Sequence, residues 1–154
     1  MCNNAAMQIS LSKSIAAAPD KVWAIITDLD RAGDAISGII KTERLDDGTG
    51  FGVGTRWRET RRMFGKEATE EMEVSAFDPQ RSYTVTADSH SAHYVSTWSV
   101  VPDGEGTSLS MTFAGVPQGL FGKVMAATLG RLMVGSTRKA LQKDLDEIAE
   151  AVEG

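Results

Sequence analysis

The stretch that decides the fold is residues 55–77, which read TRWRETRRMFGKEATEEMEVSAF. A turn at Phe64 and Gly65 predicts that this stretch folds back on itself as a β-hairpin. On one face, pairing outward from the turn gives three pairs of opposite charge and one pair of threonines: Arg62–Glu67, Arg58–Glu71, Arg56–Glu73 and Thr60–Thr69. Directly opposed charges of this kind support the register. A two-residue and a four-residue loop give the same register, and a phenylalanine in the turn favours the four-residue loop.

The other face of the hairpin is the predicted inner face, with the pairs Thr55–Val74, Trp57–Met72, Glu59–Glu70 and Arg61–Ala68. Two close carboxylates do not ionise together easily, so burial would raise the pKa of one while Arg61, diagonal to Glu70, keeps the other ionised. Glu59 and Glu70 are therefore candidate catalytic residues for acid–base chemistry. Two other interpretations stay open: a structural Glu–Arg–Glu cluster screened by water, and a site where Arg61 binds a ligand carboxylate.

The segments on either side continue the sheet. Residues 7–15 alternate between apolar and polar, which predicts a half-buried first strand. A turn around Ser89–Ala92 and another around Pro102–Gly106 give three more antiparallel strands, the second turn pairing Trp98 with Leu109. The inward-facing residues of the meander are the candidate ligand-binding residues, together with Arg61: Trp57, Met72, Tyr83, Tyr94, Ser96, Trp98, Met111 and Phe113.

Helical segments precede and follow the meander. Pro19 opens a predicted helix over 19–27, and a second short helix is expected over 30–36. A long C-terminal helix is predicted from the spacing of Leu141, Leu145, Ile148 and Val152, which would cover the sheet. Upstream lies a second apolar stripe: Phe121, Met125, Leu129 and Leu132. Gly130 and Gly135 predict a kink or break between the two stripes. The second stripe could line a cavity, form a homodimer contact or pack under loops.

Length, charge and composition limit the number of domains, the partners and the compartment that we expect. The chain has 154 residues and net charge −5, which favours a single domain over 1–154 and argues against nucleic acid as a partner. No apolar run is long enough to span a membrane, no signal peptide is recognised, and the lone Cys2 points to a reducing compartment. We therefore expect a cytoplasmic protein. The glycine-rich loop 46–54 does not open a helix, so it is interpreted as a flexible hairpin loop and not as a phosphate site.

The order of elements resembles the START-like, or polyketide cyclase/dehydrase (SRPBCC), superfamily, whose fold is called the helix grip. The resemblance covers nearly the whole chain and rests on IAAAPDKVW at 15–23, GTRW at 54–57, FDP at 77–79, and VP at 101–102 followed by GT at 106–107. It implies an α+β fold: a seven-stranded antiparallel sheet wrapped around a long C-terminal helix, with two short helices after the first strand. It also implies a hydrophobic pocket between sheet and helix, and it transfers no catalytic residue onto this chain.

Three functions follow as hypotheses. The first is binding of a hydrophobic small molecule, such as a lipid or polyketide, in that pocket. The second is a cofactor-free cyclase or dehydratase that uses Glu59 and Glu70. The third is a co-chaperone-like interaction domain, for which exposure of Phe121 and Leu129 is the deciding feature. No cofactor is expected. No metal site is expected either, because His90 and His93 lie at a strand loop without further histidine or cysteine to complete a ligand set.

Overall fold

A computed structural model describes the backbone of residues 7–63, 65–89 and 92–154. It also describes their side chains, except those of residues 63, 129–131 and 133. The strands are β1 (Met7–Ile15), β2 (Ile39–Arg44), β3 (Arg56–Met63), β4 (Lys66–Asp78), β5 (Ser82–Asp88), β6 (Ala92–Asp103) and β7 (Gly106–Pro117). The helices are α1 (Pro19–Ile26), α2 (Ala32–Ala35) and α3 (Gly119–Glu153), and a 3-10 turn (Leu29–Arg31) precedes α2. The expected α+β helix-grip fold is confirmed, since seven antiparallel strands form one sheet in the order β1-β7-β6-β5-β4-β3-β2.

The decisive hairpin has the predicted register. Trp57 lies opposite Met72, and Glu59 lies opposite Glu70. On the solvent face, Arg58 Nη2 lies 3.0 Å from Glu71 Oε1. The expected four-residue loop is wrong: pairing extends to Met63 and Lys66, so the connection has two residues. Gly65 has a φ of 76°, a conformation that glycine adopts without steric cost.

One predicted register is wrong by two residues. Trp98 pairs with Met111 and not with Leu109, because the β6–β7 hairpin turns tightly between Asp103 and Gly106. The predicted pairing centred the turn one residue too early in the chain, which displaces every pair by two residues. A shift of two residues keeps every side chain on its predicted face, because strand side chains alternate with period two. The inward-facing assignments for this pair of strands therefore survive the error.

The C-terminal helix closes the concave face of the sheet. Leu141, Leu145 and Ile148 are at most 5% exposed and form one core with β-strand residues such as Ile9 and Leu109. Lys13, the charged exception on the apolar face of β1, reaches Asp146 of α3 at 3.0 Å. The break expected in this helix is wrong: α3 is a single helix of 35 residues. Glycine costs only about 1 kcal/mol in a helix interior, which a long helix tolerates.

Other expectations have mixed outcomes. The second short helix, expected over 30–36, is split into the 3-10 turn and the four-residue α2. Cys2, Phe64 and His90 lie outside the described residues, and so does the side chain of Leu129. None of the described helices is both long enough and apolar enough to cross a membrane.

Candidate functional site

A cavity with two adjoining lobes lies between the sheet and α3. The proximal lobe, of about 150 Å³, lies beneath α1 and α2 and beside Trp57. The distal lobe, of about 170 Å³, lies beside Tyr94 and Thr137. The two lobes share six wall residues: Arg61, Met72, Val85, Ser96, Phe113 and Leu141. Because a single water needs only roughly 10–15 Å³ by the same measure, each lobe can hold part of an organic molecule.

Every candidate site residue from the sequence lines one of these lobes. Trp57, Glu59, Tyr83, Trp98 and Met111 line the proximal lobe. Glu70 and Tyr94 line the distal lobe. Arg61, Met72, Ser96 and Phe113 line both. The structure thus brings all eleven residues to one cavity, although Glu59 and Glu70 belong to different lobes.

Arg61 stands where the lobes meet, and its main partner is a residue of α3. Its Nη2 donates to Asp144 Oδ1 at 2.9 Å and to Oδ2 at 2.8 Å. Glu59 is more distant, with 4.0 Å between Oε1 and Arg61 Nη1. Gly38 makes room for the guanidinium, since a Cβ there would lie 2.9 Å from Nη2. The buried charged cluster is therefore Glu59–Arg61–Asp144, and the Glu–Arg–Glu cluster suggested by the sequence needs this correction.

The pKa values of the carboxyls follow from this arrangement. Burial raises the pKa of Glu59, with Arg61 and a hydrogen bond from Trp57 Nε1 (3.4 Å) only partly offsetting it. Burial also raises the pKa of Glu70, and Arg61 opposes this shift. The pKa values of both glutamates are thus raised by burial and lowered in part by Arg61, whereas the sequence predicted a raised pKa for only one of them. Burial raises the pKa of Asp144 too, against the opposing effect of Arg61.

Aromatic side chains form the floor of the proximal lobe. Phe51 inserts from the glycine-rich loop, with its ring centroid 4.9 Å from that of Tyr83 and 6.2 Å from that of Trp57. The loop is anchored: Asp46 Oδ1 accepts from the Arg56 N–H at 2.9 Å, and Asp46 Oδ2 accepts from the Gly48 N–H at 3.0 Å. The loop joins the paired strands β2 and β3, as the sequence predicted for a hairpin loop, and Asp46 holds its first residues. Phe51 could have been suspected as the one aromatic residue of the loop.

The two tyrosines of the site differ in how their hydroxyls are used. Tyr83 donates its hydroxyl hydrogen to the Ile26 carbonyl oxygen at 2.9 Å, which ties β5 to the end of α1. Burial raises the pKa of Tyr83, so this hydroxyl stays protonated. Tyr94 is half-buried and stacks on Phe113 with ring centroids 5.4 Å apart. Tyr83 thus contributes its ring to the wall of the proximal lobe, while Tyr94 lines the distal lobe and its hydroxyl has Ser89 as a hydrogen-bond partner.

Sequence reasoning missed the contribution of the short helices and of Asp144. The roof of the proximal lobe comes from α1, α2 and the segment joining them: Ile25, Ile26, Asp28, Leu29, Ala32, Ala35 and Ile36. Asp144 falls three residues after Leu141 and one before Leu145, on the buried side of α3. A charged residue inside an apolar helical stripe is the signal that could have identified it.

His93, the described member of the histidine pair, takes no part in the cavity. Its Nδ1 lies 2.6 Å from Asp88 Oδ1 across the β5–β6 hairpin. Within the described part of the chain, no group of three His, Cys, Asp or Glu side chains could hold a metal ion.

Solved structures with the same fold include two aromatase/cyclases. The Zhui aromatase/cyclase from Streptomyces sp. R1128 has a TM-score of 0.79 at 19% identity, covering 95% of this chain and 93% of that one. The di-domain ARO/CYC BexL, from the BE-7585A biosynthetic pathway, has a TM-score of 0.77 at 13% identity, with 98% of this chain on 52% of BexL. The protein TTHA0849 from Thermus thermophilus has a TM-score of 0.70 at 20% identity, covering 94% and 98%. At these identities the likeness shows the fold alone.

Among proteins with curated descriptions, none has a sequence that matches this chain. A family model does match, over residues 6–153, which is nearly the whole sequence. Together with the sheet order and the two-lobed cavity, this match shows that the chain belongs to the family described as polyketide cyclase / dehydrase and lipid transport.

Proposed function

We propose that the protein binds a hydrophobic small molecule in the two-lobed cavity. The observation that carries this proposal is the cavity wall: aromatic and aliphatic side chains surround both lobes, and charged side chains are concentrated around Arg61. An apolar cavity with a few convergent polar groups is typical of a small-molecule site. The family, which includes lipid transport and polyketide cyclisation, supports the same conclusion.

The charges in the cavity favour a ligand without a carboxylate. Three carboxyls (Glu59, Glu70 and Asp144) lie around one guanidinium, that of Arg61. Asp144 already occupies Nη2 of Arg61, so a ligand carboxylate would replace an existing partner and be repelled by the others. The buried Nε–H of Arg61 makes no hydrogen bond with any described residue. A ligand hydroxyl would donate to Glu59, which lines the proximal lobe.

A cyclase or dehydratase is the second candidate, and the raised pKa values of Glu59 and Glu70 favour it. A carboxyl with a raised pKa keeps its proton to higher pH, so it is better suited to give a proton to a ligand carbonyl oxygen and to take one back from carbon. In the proximal lobe, Glu59 would be this proton donor. Glu70 lines the other lobe, so it would act on a different part of a long ligand.

Filling the cavity tests the binding proposal. Ser96 lies on the inner face of β6 and lines both lobes, so Ser96→Phe should abolish binding of the neutral dye Nile red. Ser99→Phe is the matched control, because Ser99 faces outward on the same strand, opposite Ser110. Nile red binding should survive in the control, and cis-parinaric acid, an apolar carboxylate, should bind more weakly than Nile red. Unchanged Nile red binding in Ser96→Phe would place the ligand elsewhere.

A ligand that co-purifies with the protein would separate binding from catalysis. Native mass spectrometry of the purified protein identifies any co-purified apolar compound. Glu59→Gln should still bind that compound, whether the protein is a binding protein or an enzyme. If the protein is an enzyme, Glu59→Gln should lose the turnover that the wild type shows. A wild-type protein that returns the compound unchanged contradicts the enzyme candidate and leaves the binding proposal standing.

A further inference from the structure

The first half of α3 exposes a row of large apolar side chains. Leu120 is 80% exposed, Phe121 70%, Val124 51% and Leu132 71%. Leu120 and Val124 are four residues apart, and Phe121 and Leu132 are eleven apart, or about three helical turns, so the four share one side of the helix. We call these four residues the exposed α3 face. This face is turned away from the core, so the possibility that Phe121 lines the cavity is excluded.

The first 25 residues of α3 carry positive charges only. Residues 119–143 contain no Asp or Glu and five basic residues: Lys123, Arg131, Arg138, Lys139 and Lys143. Since the whole chain has net charge −5 and this segment carries +5, the rest of the chain totals −10. Arg138 and Lys139 are exposed and lie eighteen residues beyond Leu120 and Phe121, which is about five full turns. These two basic residues therefore continue the exposed α3 face.

We propose that the exposed α3 face docks the protein onto the surface of an anionic phospholipid bilayer. A helix with Leu and Phe on one side and basic residues near them lies in the plane of the interface, with its apolar side chains at the headgroup–acyl boundary. Anionic headgroups attract Lys and Arg close to the surface. Residues 119–143 carry a net charge of +5, and the rest of the chain carries −10. Because an anionic bilayer attracts the first and repels the second, the molecule approaches the bilayer with α3 foremost.

A second copy of the chain fits this face less well. A two-fold dimer places the same surface of both copies together. Here that would bring two basic segments into contact, and like charges across an interface oppose association. An anionic bilayer instead complements both the apolar and the basic side chains. It also suits the position of the cavity, because Thr137 and Leu141 of the same helix line the distal lobe.

Vesicle co-sedimentation tests this proposal. The protein should sediment with vesicles that mix phosphatidylglycerol with phosphatidylcholine, and much less with phosphatidylcholine alone. Phe121→Asp should weaken binding about tenfold or more, because it removes a large apolar side chain from the interface. Its control is Val101→Asp, which replaces another exposed apolar residue (53%) on β6. Lys139→Ala should weaken binding about fivefold, whereas Lys66→Ala, at the exposed start of β4, should not.

Each result decides for or against the bilayer. Failure of the wild type to sediment with the anionic vesicles overturns the proposal, and so does equal binding by Phe121→Asp and Val101→Asp when circular dichroism shows both folded. Analytical ultracentrifugation tests the alternative that a second copy of the chain binds the exposed α3 face. A dimer that Phe121→Asp dissociates, without vesicle binding, would show that the face joins two copies and that the proposal is wrong. Nile red binding is measured in parallel, since the cavity and the docking face can fail independently.

Discussion

Replacing Asp144 by Asn tests whether the buried ion pair with Arg61 holds α3 on the sheet. The Asp144 side chain is 6% exposed and that of Arg61 is 18% exposed. Asn keeps the size and one oxygen acceptor but removes the charge that faces the guanidinium. The substitution therefore leaves Arg61 buried with a weaker partner.

The expected loss is about 3 kcal/mol in the free energy of unfolding. Removing one partner of a buried ion pair typically costs about 3–5 kcal/mol. We expect the lower end, because Glu59 remains 4.0 Å from Arg61 and offsets part of the charge. For a chain of this length, about 3 kcal/mol corresponds to a fall of roughly 6–12 °C in Tm.

Urea unfolding followed by tryptophan fluorescence provides the assay. Trp57 reports on the cluster directly, since its Nε1 donates to Glu59. Asp146→Asn is the matched control on the same helix: Asp146 pairs with Lys13 at 3.0 Å, but the side chains are 46% and 35% exposed. Exposed pairs contribute about 1 kcal/mol or less. A double-mutant cycle with Arg61→Gln should give a coupling energy of about 2 kcal/mol between positions 61 and 144.

Two results would refute this reasoning. One is a loss in Asp144→Asn no larger than that in Asp146→Asn. The other is a coupling energy below about 0.5 kcal/mol, which is within the range for independent sites. Either result would mean that the Asp144–Arg61 pair does not help to hold α3 on the sheet.

Two further predictions concern Glu59 and Gly106. Burial raises the pKa of Glu59 above its ordinary 4.5, so the folded state holds this proton more tightly and wild-type stability falls as pH rises from about 4.5 through the raised value. Glu59→Gln should therefore gain stability relative to wild type as pH rises. If urea titrations give the same difference in free energy of unfolding between variant and wild type up to about pH 8, this prediction is wrong. Gly106→Ala should cost about 1–3 kcal/mol in thermal unfolding, because its Cβ would clash with the backbone carbonyl oxygen of Ile15. Gly50→Ala, with nothing within 4 Å, is the control and should change little; equal effects would show that the close approach is relieved at no cost.

Much of the fold could be predicted because the decisive information is local. Opposed charges such as Arg58 and Glu71 determine the β3–β4 register, and strand alternation then determines which side chains face inward. The β6–β7 register was less constrained, because serines and threonines on the outer face make pairs two residues apart look alike. Because strand side chains alternate between the two faces, this error left the predicted inward-facing residues unchanged.

The centre of the site was harder to predict because it depends on contacts between distant parts of the chain. The partner of Arg61 is 83 residues away, on a helix whose rotation about its own axis decides what faces the cavity. No local pattern specifies that rotation to within one residue. The pKa values depend on it too, because burial beneath this helix raises the pKa of Glu59 and Asp144 against the opposing effect of Arg61. The roof formed by α1 and α2 was missed for the same reason.

The strand order also has a consequence for how the chain assembles as it is made. β1 is the first strand of the sheet to leave the ribosome, yet among the described strands its one neighbour is β7, the last strand. Met7 pairs with Gly115 and Ile15 with Thr107, which are separations of 108 and 92 residues. Strands β2 to β7 meet neighbours in sequence, so their hairpins close over short loops, whereas β1 must wait for the whole meander. The order of synthesis thus leaves the apolar side of β1 without its partner until the sheet is nearly complete, and this strand is where we expect nascent chains to need protection from aggregation.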